Sequence, residues 1–259
     1  MSAPIDGAIT AAFAAIVGET GIRSAATLAG LDSGFHRDNF GASLAVLPRS
    51  TAEVSAAIAL CHSHGLPVVP QGGRTGLSGG AISRQGEVIL LADRLDRIIA
   101  IDPLAMLAVV EAGVTLQALD EAVAEHGLSP GIDLAARGTA TIGGMIATNA
   151  GGMEAFRNGT MRNRLLGLEA VLPDGAILDD MTRVPKCNEG YDIKHLFCGA
   201  EGTLGVVTQA VLRLSPADGE ATTLLAACPD AAAALDIFRR LQRAPGLDFR
   251  RFRCSAAQG

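Results

Sequence analysis

Pro70-Gln71-Gly72-Gly73-Arg74-Thr75-Gly76-Leu77-Ser78-Gly79-Gly80 is the stretch on which the reading of this chain turns. Five of its eleven residues are glycine, and apolar runs flank it at 66–69 and 88–91. Glycine adopts positive φ without steric cost and lets another group approach the backbone closely. Such a turn can aim successive N–H groups at one anion, forming a nest. The competing reading is a flexible surface loop. Two phosphate motifs are excluded by counting. No two glycines lie two positions apart, so Gly-x-Gly-x-x-Gly is absent. No Gly-Lys pair occurs, so there is no Walker A loop. Residues 81–91 read as a turn and a strand, so an anion here would rest on a nest with little help from a helix dipole. Arg74 can supply a positive charge, or it is a solvated loop arginine.

A second glycine segment, residues 138–152, reads Gly-Thr-Ala-Thr-Ile-Gly-Gly-Met-Ile-Ala-Thr-Asn-Ala-Gly-Gly and carries no charge. Its hydroxyls at Thr139, Thr141 and Thr148 and its amide at Asn149 suit a groove that gives a ligand neutral hydrogen bonds. Close backbone packing between elements would explain the glycines equally well. A third segment, residues 199–207, reads Gly-Ala-Glu-Gly-Thr-Leu-Gly-Val-Val and opens onto an apolar strand running to Leu214.

Composition narrows the class. The chain has 259 residues, enough for a substantial core in one large or two modest domains. Hydrophobic residues make up 49% and charged residues 19%, which excludes general disorder. A net charge of −6 and the lack of a basic, aromatic-interleaved patch argue against nucleic acid as a partner. Apolar runs such as 88–92 are far short of a membrane span. The first residues show no secretory pattern, so a cytoplasmic location is expected. The five cysteines, at 61, 187, 198, 228 and 254, are scattered and odd in number, the pattern of free thiols. His62 and His64 lie two apart on an expected helix and point to different faces, so no metal site is assigned.

The periodicities predict an α+β organisation. Helices are expected at 8–17, 50–64 (with a capping box of Ser50 and Glu53), 115–126, 192–197 and 231–243. Strands are expected at 44–47, near 68, at 88–91, 98–101, 108–111, 165–172, 176–178 and 205–214, with a short strand opening a new region at 224–227. Pro173-Asp174-Gly175 is the turn of a hairpin.

The three glycine segments, together with 47–54 (Leu-Pro-Arg-Ser-Thr-Ala-Glu-Val), 166–175 and Gly190-Tyr191-Asp192, resemble the vanillyl-alcohol oxidase/p-cresol methylhydroxylase (PCMH) family of FAD-linked oxidases. The branch resembled holds the flavin-linked glycolate oxidase, D-lactate dehydrogenase and D-2-hydroxyglutarate dehydrogenase. The motifs run in order from about Ala42 to Pro216. The resemblance implies a PCMH-type FAD-binding domain at 42–216, made of two α+β subdomains at about 42–112 and 113–216. An N-terminal helical segment at 1–41 would precede it, and the start of a cap domain would occupy 217–259.

The same resemblance implies the cofactor contacts. The loop would wrap the pyrophosphate with Pro70, Gly72, Gly73, Arg74, Thr75, Gly76 and Leu77. Pro130, Asp133, Thr141, Gly144, Thr148, Asn149 and Gly151 would run beside the ribityl chain and ring. Glu201, Gly202, Val206 and Val207 would meet the adenine–ribose end or adjacent parts. No histidine stands in the loop, so the FAD is expected to be non-covalent. The implied reaction is oxidation of a small D-2-hydroxy acid by hydride transfer to flavin N5, with an electron acceptor the sequence does not identify.

Family members take the substrate base, carboxylate clamp and, in several branches, metal ligands from the cap and the C-terminal stretch after it. Here the arginine-rich run Phe249-Arg250-Arg251-Phe252-Arg253 replaces the expected apolar cap strand, which reads as truncation or a frame shift near Leu247. Catalytic residues are therefore left unassigned. The alternative is a catalytically incomplete FAD-binding fragment or a flavin-binding partner subunit in a homo- or hetero-oligomer. A nicotinamide-dependent enzyme of unrelated fold is disfavoured by the missing Gly-x-Gly.

Overall fold

The computed structural model describes residues 5–217, 219 and 224–244. The chain opens with helix α1 (Gly7–Val17), strand β1 (Ile22–Ser24) and the short helix α2 (Ala25–Leu28). Strand β2 (Leu44–Val46), helix α3 (Thr51–His64), strand β3 (Val68–Gln71) and strand β4 (Val88–Leu91) come after them. These strands form one sheet in the order β1-β2-β4-β3, with β2, β4 and β3 mutually parallel and β1 antiparallel at the edge. Both its faces are covered. Phe13 and Val17 of α1 pack with Ala57 and Cys61 of α3 on one side, and Leu28, Leu47 and Phe40 cover the other. Such two-sided burial accounts for the unbroken apolar run of β4, Val-Ile-Leu-Leu, where all four residues are buried.

Strands β5 (Ile98–Asp102) and β6 (Leu107–Glu111) lead into helix α4 (Leu116–Ala124) and the short strand β7 (Leu128–Ser129). Helices α5 (Ile142–Thr148), α6 (Ala155–Asn158) and α7 (Met161–Arg164) come next. Strands β8 (Leu165–Val171), β9 (Ile177–Asp180), β10 (Val206–Arg213) and β11 (Ser215–Pro216) and helix α8 (Ala231–Arg243) complete the described chain. The second sheet is wholly antiparallel, in the order β5-β6-β10-β8-β9, while β11 pairs with β7. Alternation sorts its residues. Ala108 and Val110 of β6, Leu168 and Ala170 of β8, and Val207, Ala210 and Leu212 of β10 face α4 and α5. Leu107, Val109, Leu166 and Val211 form a cluster of their own.

Helix α3 ties the sheets together. Its Ala57 and Cys61 pack on the first sheet, while Val54 and Ile58 join Val171 and Val206 of the second. At the same junction Thr51 Oγ1 donates to Glu169 Oε1 at 2.5 Å, and Thr208 Oγ1 donates to the same carboxylate oxygen at 2.8 Å. Ser55 Oγ donates to Gly175 O at 2.6 Å, so the hairpin turn read at 173–175 also serves as a docking point for α3.

The structure adds to or departs from the sequence reading at three places. The hairpin 98–111, read with the first subdomain, pairs through β6 with β10, so the change of sheet falls between Leu91 and Ile98 rather than at 112/113. The reason is cross-strand pairing, which local periodicity does not report. Residues 142–148, read as part of an uncharged groove lining, are helical and do line the cavity described below. Residues 224–228 carry no strand, and Leu224 and Leu225 are exposed. Helix α8 stands where it was expected. Leu235 is exposed, Ile237 and Phe238 are partly covered, and the Phe238 ring meets Phe156 edge to face at 5.8 Å. The run at 249–253 and Leu247 lie outside the described residues.

Candidate cofactor site

A cavity of about 830 Å³ lies between the two sheets. That is within the usual range for small-molecule and cofactor clefts, roughly 300–1,000 Å³. One wall is the glycine loop after β3, the opposite wall is α5, and the apolar floor includes Leu90, Ala92, Ala112, Val206 and Val207. The arrangement arises from two close approaches. A Cβ on Gly73 would overlap the carbonyl oxygen of Thr139, and one on Gly72 would overlap Thr141 Oγ1. Only residues without side chains let the two glycine segments meet here.

The loop presents its backbone to the cavity. Among the described residues, the N–H groups of residues 73–78 donate to no protein acceptor. Arg74 sits at φ 55°, a left-handed conformation rare for non-glycine residues. Its guanidinium is not free, as a solvated loop arginine would be. Nη1 donates to Gly72 O at 3.1 Å and lies 3.6 Å from Asp93 Oδ1, and the group stacks 5.2 Å from the Phe40 ring centroid. Its Nε is buried without a partner. A run of unpaired N–H groups beside a half-buried guanidinium is suited to a doubly charged diphosphate.

Helix α5 forms the neutral wall. Thr141 caps it by accepting from Gly144 N, and Asn149 closes it in the left-handed region at φ 50°. Thr148 Oγ1 donates back to Gly144 O at 3.0 Å. Packing of Ile142, Met145 and Ile146 into the second core holds this glycine-containing helix in place. Glu201, also left-handed at φ 49°, is held by its N–H on Ala147 O at 2.9 Å and carries its carboxylate to the cavity beside Gly80.

Of the residues expected at a cofactor, Pro70, Gly72, Gly73, Arg74, Thr75, Gly76, Leu77, Thr141, Gly144, Thr148, Glu201, Gly202, Val206 and Val207 line this cavity. Pro130, Asp133, Asn149 and Gly151 do not. Asp133 pairs with Arg137 and bridges to Gly152, and Asn149 Oδ1 accepts from Arg162 N at 3.0 Å. Gly151 packs on Ala155. Sequence reading missed Asp32, Gly34 and Phe35, which also line the cavity; nothing in their local pattern marks them.

The thiols of the described cysteines line no part of this cavity. Burial pushes Cys61 up to about 12, and Cys198 is raised for the same reason against the opposing pull of Arg162. Cys187 is exposed. Among the described residues no three His, Cys, Asp or Glu side chains are grouped to hold a metal, and no helix is long and apolar enough to cross a membrane.

Comparison with known proteins agrees with this geometry. The probable mitochondrial D-2-hydroxyglutarate dehydrogenase of Oryza sativa subsp. indica is 47% identical over 67% of this chain and 31% of its own length. The D-2-hydroxyglutarate dehydrogenase of Xanthomonas citri pv. viticola is 40% identical over 74% of this chain and 41% of its own. The D-lactate dehydrogenase of Archaeoglobus fulgidus is 44% identical over 69% and 40%. A solved alkyldihydroxyacetonephosphate synthase superposes with a TM-score of 0.60 at 26% identity, over 67% of this chain and 32% of that one. The chain thus spans between 31% and 41% of the length of these curated relatives. Residues 42–180 match the FAD binding domain family. With the paired glycine segments and the cavity between them, that match shows that this chain belongs to the PCMH-type FAD binding domain family and that its cofactor is FAD.

Proposed function

We propose that this chain is the FAD-binding part of a dehydrogenase that oxidises a D-2-hydroxy acid, such as D-lactate, glycolate or D-2-hydroxyglutarate, to the 2-oxo acid. The observation that carries the reading is the N–H nest of residues 73–78, facing a neutral helical wall across the cavity. The names of the relatives supply the substrate class. In this reading FAD, when bound, supplies the hydride acceptor. The chain's own residues bind and orient it. The loop N–H groups hold the diphosphate, and Arg74, fixed by Asp93 and Phe40, adds charge without having to be ordered on binding. In the same reading Thr141, Gly144 and Thr148 border the ribityl and ring portion, while Val206 and Val207 give a dry floor to the adenine–ribose end or adjacent parts. Among the described residues no histidine, cysteine or tyrosine lines the cavity, which supports non-covalent FAD.

The FAD-binding unit is taken as 42–216, with 217–259 the beginning of a substrate-binding cap. The second reading is a flavin-binding fragment or partner subunit without turnover. The test is the visible spectrum of the purified chain, before and after anaerobic addition of D-lactate and of D-2-hydroxyglutarate. A bound-flavin spectrum bleached by either acid supports the dehydrogenase. A flavin spectrum that neither acid bleaches supports the fragment. A colourless chain that takes up no added FAD would defeat both.

A further inference from the structure

We propose that residues 32–41, which precede the family match at 42, are part of the cofactor site: a clasp that sets the shape of the glycine loop and lays Phe35 over the cofactor's diphosphate. The inference rests on the FAD reading above and extends it to a segment outside the matched domain.

The clasp tracks the loop from end to end. Phe35 N donates to Arg74 O at 3.1 Å, and His36 Nε2 is hydrogen-bonded to Leu77 O at 3.0 Å. At the far end Ser83 N donates to Asp38 O at 3.2 Å, and Ser83 Oγ donates to Asn39 O at 2.7 Å. Gln71 Nε2 spans the base of the loop, donating to Asn39 O at 2.6 Å and to Ala81 O at 2.7 Å. Phe40 lies against the Arg74 guanidinium. The clasp therefore occupies the loop carbonyls of Arg74 and Leu77, while the N–H groups of 73–78, with no protein acceptor among the described residues, belong to residues that line the cavity. Gly34 makes the approach feasible: at φ 74° it runs so close that a Cβ would overlap Arg74 O.

Phe35 is the part that reaches the ligand. It lines the cavity yet is 63% exposed, and Leu77 beside the nest is 69% exposed. The Phe35 backbone is bonded to Arg74, and its ring meets His36 edge to face at 5.0 Å, so it cannot withdraw into a core. A large apolar side chain fixed beside unpaired N–H groups gains burial when an anion settles there, and it excludes the water that would weaken those bonds.

The test titrates the flavin-stripped full chain with FAD and, separately, with ADP, comparing wild type with Phe35→Ala and Gly34→Ala. Flavin emission reads FAD binding directly, and ADP binding is read by its displacement of FAD. Phe35→Ala is expected to weaken FAD and ADP by a similar factor, about tenfold, leaving the Tm of the apo chain unchanged. Gly34→Ala, which forces the clasp off the loop, is expected to weaken both ligands further and to lower the Tm. Wild-type affinity for FAD in Phe35→Ala would overturn the proposal. So would loss of FAD affinity with ADP affinity kept, which would move Phe35 away from the diphosphate. An affinity loss matched by a fall in apo Tm for Phe35→Ala would reduce the ring to packing. A wild-type chain that binds no FAD would instead overturn the cofactor reading itself, and the clasp with it.

Discussion

The segments 70–80 and 138–152 each hold five glycines and meet face to face, yet one stays an open loop and the other winds into α5. Composition does not separate them; their edges do. The first leaves β3 at Gln71, whose side-chain Nε2 donates to the carbonyls of Asn39 and Ala81 and so spans the base of an open loop. The second begins at Thr141, which caps the first turn, and ends at Asn149, which accepts the left-handed conformation that stops a helix. Between these caps two adjacent glycines, each costing about 1 kcal/mol relative to alanine in a helix, are tolerated because α5 lies against Ala112 and β10. Glycine works in the loop by exposing backbone to a ligand and in the helix by letting backbone approach backbone.

Four substitutions would break or sharpen this contrast. Gly73→Ala drives a methyl into the Thr139 carbonyl, where backbone must move on both sides. Denaturant unfolding should show a loss of about 3 kcal/mol or more, and a stable, folded Gly73→Ala would mean that the two segments do not touch as described. Gly143→Ala is expected to lose less, about 1–2 kcal/mol after the gain in helix propensity, since its Cβ would meet Ala112 Cβ at 2.7 Å. Adding Ala112→Gly should restore much of the loss, and failure of that rescue would point to strain elsewhere. Thr141→Ala removes the cap of α5 and should cost about 1 kcal/mol, read as a Tm shift without change in the circular dichroism of the rest of the chain. Gly76→Ala has the smallest expected effect on stability, within about 0.5 kcal/mol, because nothing lies within 4 Å of the added methyl. Its FAD affinity should nonetheless fall, by about tenfold, because Gly76 lines the cavity. Equal affinity would remove Gly76 from the cofactor's path.

Much of this was legible from local pattern. Thr51–His64 begins where Ser50 and Glu53 announce a start: Ser50 Oγ accepts from Glu53 N at 3.2 Å, while the Glu53 carboxylate reaches back one residue further than a capping box requires, to Arg49 N at 2.8 Å. Leu116, Leu119 and Val123 share one buried face of α4, as their spacing predicted. The helix α5 was hidden because its residues are small and uncharged, so they show no amphipathic period. The sheet to which 98–111 belongs was hidden because β6 finds its partner β10 roughly a hundred residues later. Site residues in the loop were legible through the run of glycines. Phe35 was not, because its placement depends on a hydrogen bond to Arg74, far away in sequence.

The position of β10 has a consequence for the order in which the molecule is made. The first sheet is complete in sequence by Leu91, so it can close while the rest of the chain is still being synthesised. The hairpins β5–β6 and β8–β9 have no strand pairing with each other except through β10, which lies between them. Until residues 206–213 leave the ribosome, two apolar hairpins and α5 must wait with their faces exposed, and the half of the cavity walled by Val206 and Val207 does not exist. The glycine loop is therefore made early and its opposite wall late, so the cofactor can be gripped only in the last stage of folding.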